Sequence, residues 1–207
     1  MAELYTTVLH ASEAEFEEKR SVFIGHAMPV KTEDEALAFI KELKKKYRDA
    51  THNVYAYVLG DGTVQRYSDD GEPQGTAGMP VLDVIRKNGC TDTVIVVTRY
   101  FGGILLGAGG LVRAYSHAAK LALDAAEVAT FEKYAVMRLV CPYTDYGKYL
   151  TELQKLGAVM DETEFAENVF LNFAVKETEL AKLEKMITEV SFGKLAPEKV
   201  GERFDYR

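Results

Sequence analysis

The sequence predicts an α/β (α+β) chain of two domains, residues 1–130 and a ferredoxin-like domain over residues 131–207. Three observations carry this. The capping box Thr32-Glu-Asp-Glu35 opens a helix between two β-prone stretches. The run Thr93-Val-Ile-Val-Val-Thr98 is continuously apolar and β-branched, the character of a central strand covered on both faces. After residues 127–133 the pattern restarts as strand, helix, strand, strand, helix, strand. That is the order of a ferredoxin-like sheet with two helices on one face.

The elements follow in turn. Residues 4–9 and 22–28 read as strands separated by an acidic segment. The helix after Thr32 places Ala36, Leu37, Phe39, Ile40, Leu43 and Tyr47 on one face. Its basic end, with Lys41, Lys44, Lys45, Lys46 and Arg48, suits the negative end of the helix dipole. Residues 53–59 and 63–68 form a hairpin about Gly60-Asp61-Gly62. Pro80 fits the first turn of a helix over 81–88, which Gly89 ends. A helix over 111–126 buries Leu111, Ala114, Tyr115, Ala118, Leu121, Ala122 and Ala125, and turns Arg113, His117, Lys120 and Asp124 outward. Residues 127–133 read as a linker. Strands over 135–141, 158–165, 168–175 and 194–204 and helices over 143–156 and 177–190 complete the chain.

Composition sets the bounds. The chain is ordinary globular, with 47% hydrophobic and 28% charged residues. No apolar run approaches the roughly 18 residues of a membrane span, and the first ten residues lack a basic-then-apolar leader pattern. Cys90 and Cys141 stand singly, in neither a metal nor a redox spacing, and are expected to be reduced core thiols of a cytoplasmic protein. The net charge is −7, divided as −4 and −3 between the two parts. Bulk charge therefore argues against strong non-specific nucleic-acid binding.

One stretch organises the rest: Arg99-Tyr-Phe-Gly-Gly-Ile-Leu-Leu-Gly-Ala-Gly-Gly-Leu-Val-Arg113, which sets five glycines in nine residues between two arginines. Glycine at that density implies positive φ, or close approach by a ligand or another backbone. Gly102, Gly103, Gly107, Gly109 and Gly110 lead into a helix N-terminus, so the loop amides suit an anion, with Arg99 and Arg113 adding bidentate contacts. Nucleotide motifs fail. The P-loop spacing from Gly102 to Gly107 lacks the Lys-Ser/Thr, and Val112 takes the third glycine's place in a dinucleotide fingerprint. P-loop nucleotides and nicotinamide cofactors are excluded on that basis. Upstream, Asp69, Asp70 and Glu72 are hard oxygen donors suited to Mg²⁺, or turn residues that pair with Arg99 or Arg113. His52 and His117 are candidate proton carriers. Tyr5, Tyr55, Tyr57, Tyr67, Tyr100 and Phe101 are candidate stacking residues, or core.

The motifs Ala50-Thr-His52-Asn-Val-Tyr-Ala56, Ser68-Asp-Asp-Gly-Glu-Pro73, Gly75-Thr-Ala-Gly78-Met-Pro80, Arg99-Tyr-Phe-Gly-Gly103 and Leu106-Gly107-Ala-Gly-Gly-Leu111-Val-Arg113-Ala-Tyr115 resemble the YigZ/IMPACT family in its bacterial two-domain form. Where the family commonly has a basic residue before Phe-Ile, this chain has Val22, with Lys19 and Arg20 further back. The resemblance implies an N-terminal domain similar to those of ribosomal proteins and elongation factors, with a left-handed βαβ crossover. It also implies a ferredoxin-like domain similar to one in EF-G. Eukaryotic members restrain a starvation-sensing kinase by competing for its activator protein.

The expected function is a non-enzymatic, translation-linked regulator. It would bind RNA, the ribosome or a translation factor through Arg99, Tyr100, Gly102, Gly103, Gly107, Gly109, Gly110 and Arg113, flanked by Lys120 and His52. No catalytic residue and no membrane partner are assigned. The alternative is a metal-dependent phosphoester or nucleotide hydrolase. There Asp69, Asp70 and Glu72 would hold Mg²⁺, the arginines would clamp phosphate, and His52 would move a proton.

Overall fold

The computed structural model describes residues 4–60 and 62–206, so Asp61 of the expected hairpin turn lies outside the described residues. The chain divides into two compact units, Met1–Thr130 and Phe131–Arg207.

The first unit holds β1 (Leu4–Val8), β2 (Ser12–Glu18), β3 (Ser21–Pro29), α1 (Glu33–Lys46), β4 (His52–Leu59), β5 (Val64–Ser68), α2 (Gly78–Lys87), β6 (Thr93–Tyr100) and α3 (Ala108–Ala125). Thr32 caps α1 by accepting from the Glu35 amide, as the capping box predicts. The main sheet runs β2-β3-β6-β4-β5, and every neighbouring pair is antiparallel. Central β6 alternates its side chains between two cores. Ile95 and Val97 face α2 and α3, together with Phe23, Val54, Ala56, Val81, Ile85 and Tyr115. Val94 and Val96 face α1, together with Ala36, Ile40, Leu43, Tyr57 and Leu59.

This topology fixes a question of handedness. β3 and β4 are both antiparallel to β6, so β3-α1-β4 is a parallel crossover over β6. β5 and β6 are both antiparallel to β4, so β5-α2-β6 is a parallel crossover over β4. The two run in opposite directions across the sheet, between strands of opposite polarity, and their helices cover opposite faces. Their hands are therefore opposite, and one crossover is left-handed against the usual rule.

The acidic segment is a strand. In β2, Glu13, Glu15 and Glu17 point outward while Ala14 and Phe16 are half-buried. The period-two alternation was present in the sequence, and outward charge suits an edge strand. Close packing shapes the opposite face, where a Cβ at Gly25 would fall inside contact with the Ala118 backbone of α3.

The linker expected over 127–133 is corrected: from Val128 onward it is the start of a 14-residue strand, β7 (Val128–Cys141), and the division between units falls inside that strand. The second unit continues with α4 (Tyr146–Lys155), β8 (Val159–Phe165), β9 (Val169–Lys176), a single 3₁₀ turn (Glu177–Glu179), α5 (Leu180–Ser191) and β10 (Glu198–Asp205). Its strands are ordered β10-β7-β9-β8, all antiparallel, which is the ferredoxin-like arrangement. Met137, Leu139, Leu171 and Phe173 pack there on Tyr149, Leu153, Leu183 and Ile187. Among the described residues no helix is long and apolar enough to cross a membrane.

Candidate functional site

Arg99 sits near the end of β6, and Glu72 on the loop between β5 and α2. The structure brings them together, with Arg99 Nη1 donating to Glu72 Oε1 at 2.6 Å. Arg99 is only 5% exposed and Glu72 8%. The Tyr115 hydroxyl, on α3, donates to the same oxygen at 2.7 Å. Burial, and then the Glu72 charge, push the Tyr115 phenol far above its ordinary range, so it remains a donor. The Arg99 guanidinium lies between two rings, 5.4 Å from the centroid of Phe23 and 5.4 Å from that of Phe101. Its Nη2 faces Ser21 Oγ at 3.4 Å, while its buried Nε has no partner among the described residues. His52 completes the group. Its Nδ1 donates to the Asp70 carbonyl at 2.8 Å, which fixes the tautomer and leaves Nε2 3.7 Å from Glu72 Oε1.

This cluster floors a cleft of about 380 Å³. Pro73, Phe101, Leu105, Leu106 and Leu111 wall it, and Gly107, in the left-handed region at φ +72°, turns the chain into α3 at its edge. The rim is apolar and open to solvent: Leu105 is 82% exposed, Phe101 45% and the adjacent Ile104 41%. Such contiguous exposed apolar surface, rimming a concave site, is the usual mark of a binding surface.

The other expected site residues go elsewhere. Arg113 does not converge with Arg99. It lines a separate cleft of about 280 Å³ with Phe16, Lys19, Leu106, Gly110 and His117. The expectation that both arginines clamp one anion is therefore corrected. They lie on different elements, and Leu106 stands in the wall of both clefts. Tyr100 points to the opposite face of β6 from Arg99, as strand alternation requires, and its hydroxyl donates to Asp49 at 3.1 Å. Lys120 pairs with Asp124 along α3 and lines neither cleft. Gly102 serves backbone packing, because a Cβ there would fall inside contact with the Arg20 carbonyl group. Gly103 is a left-handed turn residue at φ +82°, and Gly109 and Gly110 lie in the first turn of α3.

Asp69, Asp70 and Glu72 do not converge on a common point. Asp69 accepts from the amides of Gly75, Ala77 and Gly78 at 2.8–3.1 Å and so anchors the start of α2. Asp70 accepts from the Asn53 amide and pairs with Lys44, each at 2.6 Å. Among the described residues, no group of three His, Cys, Asp or Glu side chains is placed to hold a metal. Lys46 of the same basic run pairs with Glu13.

Sequence reasoning placed Tyr115 in the core and did not see its hydroxyl at Glu72. It also missed Leu105 as a rim residue and Lys19 as a cleft residue. A clue to Leu105 was present, since Ile104-Leu105-Leu106 is an apolar triplet inside a glycine-rich loop.

Fold and site define a two-unit α+β protein with an apolar-rimmed cleft over a buried arginine–glutamate pair. A family model described as the Impact N-terminal domain matches residues 19–123, and one described as a domain of unknown function (DUF1949) matches residues 139–194. The chain belongs to the IMPACT family. It is similar to IMPACT family member YvyE of Bacillus subtilis, at 42% identity over 195 residues, covering 94% of this chain and 90% of that one. It is also similar to IMPACT family member YigZ of Escherichia coli, at 31% over 180 residues, covering 86% and 88%. The Dictyostelium discoideum protein IMPACT homolog is 43% identical over 95 residues, 44% of this chain and 27% of that protein. A solved structure titled as that of a hypothetical protein superposes with a TM-score of 0.61 at 28% identity, over 97% of this chain and 99% of that one.

Proposed function

We propose that this protein is a translation-linked regulator that acts by binding and performs no chemistry of its own. Its partner would be a component of the translation apparatus, whether a translation factor, the ribosome or RNA, docking at the cleft over Arg99 in the cytoplasm. Family membership supports the regulatory reading, since eukaryotic IMPACT proteins are regulators of translation. One observation carries the choice of site: the exposed rim of Phe101, Ile104 and Leu105 above a neutralised arginine. Because Glu72 compensates the Arg99 charge, the cleft presents apolar surface and shape more than positive charge. That favours a protein surface over a phosphate backbone.

The hydrolase reading has less support. Mg²⁺ at Asp69, Asp70 and Glu72 would have to displace four backbone amides, Lys44, Arg99 and the Tyr115 hydroxyl.

The test is co-sedimentation with ribosomes and capture of purified translation factors, comparing the native chain with Leu105→Asp. Binding that is lost in the variant and changes little with salt supports the proposal. Binding with a steep negative log–log salt slope transfers the site to RNA. Binding that is equal in the variant removes the cleft from the function.

A further inference from the structure

The second cleft has a different chemistry. It lies between the β2–β3 turn and α3, with Lys19 on one side and Arg113 and His117 on the other. Among the described residues, neither Lys19, Arg20 nor Arg113 has an ion-pair or hydrogen-bond partner. Lys31, Lys44, Lys46 and Lys120 of the same unit are paired with carboxylates, whereas Lys41, Lys45, Arg48 and Lys87 have no ion pair among the described residues, so it is their place in one cleft that sets Lys19 and Arg113 apart. One carboxylate, Glu18, also lines the cleft.

The turn that presents Lys19 is unusual. Glu18 pairs with Ser21 in the ladder, so Lys19 and Arg20 form a two-residue hairpin loop. Both are left-handed, at φ +47° and +64°. Such a turn normally takes Asn-Gly, since a side chain at positive φ is strained. Here two long cations occupy it. The turn is also locked in place: the Gly102 amide donates to Ser21 Oγ at 3.1 Å, and the absent side chain of Gly102 makes room for the Arg20 backbone. A cation carried on a turn whose backbone is held in place, lining one cleft with a second unpaired cation, points to an anion site.

The remaining walls define what the anion is attached to. Phe16 and Leu106 are apolar, and the His117 ring packs edge-on against Phe16 at 4.7 Å. The cavity, at about 280 Å³, exceeds what a bare phosphate fills. We propose that this cleft binds a phosphate monoester, with Lys19 and Arg113 holding the phosphate and its organic part resting on Phe16 and Leu106. Arg113 supplies the bidentate fork and Lys19 a point charge. The assignment of this site does not rest on the proposal that a partner docks over Arg99.

The experiment is an NMR titration of the full chain, following the amides of residues 18–20 and 109–117. Inorganic phosphate, phenyl phosphate, adenosine 5′-monophosphate and O-phosphotyrosine are the probes. The monoesters are expected to bind with Kd at or below about 1 mM, and more tightly than inorganic phosphate. Arg113→Gln and Lys19→Gln should each weaken them about tenfold, while Lys41→Gln, on the exposed face of α1, leaves them unchanged. Lys19→Gly separates binding from folding: relief of the left-handed residue raises the melting temperature while affinity falls. A preference for the nucleotide assigns a nucleotide source, and a preference for phosphotyrosine assigns a modified side chain. The absence of shifts at these amides overturns the site. Equal affinity in Arg113→Gln and Lys19→Gln overturns it too, as adventitious anion binding only.

Discussion

Arg99 Nη1 and Glu72 Oε1 lie 2.6 Å apart with both side chains almost wholly removed from solvent, and the Tyr115 hydroxyl closes on the same carboxylate oxygen. An ion pair this deeply buried owes its stability to mutual compensation, so losing either charge strands the other. Glu72→Gln should therefore destabilise the first unit by about 3–5 kcal/mol. The double variant Glu72→Gln/Arg99→Met should recover part of that loss. Urea denaturation in a double-mutant cycle measures the coupling, and simple additivity would contradict the pairing.

Tyr115 makes the same cluster sensitive to alkali. Its folded-state titration lies above its ordinary value of 10.0, because burial and the neighbouring Glu72 charge oppose the phenolate. A group raised in the folded state contributes stability that is complete below its unfolded value and lost as pH rises above it. Stability should thus fall above about pH 10, and less steeply in Tyr115→Phe. At neutral pH that variant should lose about 1–2 kcal/mol with the hydrogen bond. Denaturation midpoints across alkaline pH decide the point.

His26 acts in the acid range. It is 4% exposed, and its Nε2 is buried without a partner among the described residues. Burial lowers its titration from 6.5 to about 4, even though Glu13, 3.5 Å from Nδ1, pulls the other way. The unfolded chain takes up this proton first, so stability is complete above about pH 6.5 and lost progressively towards pH 4. The change is on the order of 3 kcal/mol. A proton NMR titration that found His26 charged near pH 6 would contradict this.

Gly102→Ala should be among the costlier single-methyl additions in the chain. The new Cβ meets the Arg20 carbonyl group, and backbone cannot rotate away as a side chain can. A loss of about 1–3 kcal/mol is expected, with shifted amide resonances at Lys19–Ser21. Gly107→Ala, strained only by its positive φ, should cost about 1 kcal/mol and leave the hairpin turn unchanged.

Magnesium at millimolar concentration should leave the melting temperature unmoved, because Asp69 and Asp70 are already held by amides and Lys44. A resident site would raise it in proportion to the logarithm of metal concentration. A phosphatase panel with Mg²⁺ and Mn²⁺, with Asp70→Ala as the control, examines the same point through activity.

The elements were legible wherever one period ruled a segment. The capping box at Thr32 and the apolar run at Thr93–Thr98 gave their helix and strand directly. The edge strand β2 was obscured because glutamate is a poor strand former, although its alternation was in plain view. The stretch after Glu127 looked like a linker and is strand, although the division between units does fall within it. The glycine loop could be located but not interpreted. Its glycines answer to different demands, Gly102 to the neighbouring hairpin and Gly107 to backbone handedness, and only three-dimensional contacts separate these. The two arginines bracket the loop in sequence, yet a strand end and a helix face carry them into different clefts.

Among the described residues, Leu106 lines both clefts, and Gly110 beneath it leaves the space that it occupies. A residue shared in this way is a thermodynamic link. An occupant of the cationic cleft that displaces Leu106 changes the volume offered over Arg99, and reciprocity requires the same factor in the other direction. Were both clefts occupied as proposed, affinity for a docking partner would follow the small-molecule anion concentration around the protein, with one leucine as the messenger.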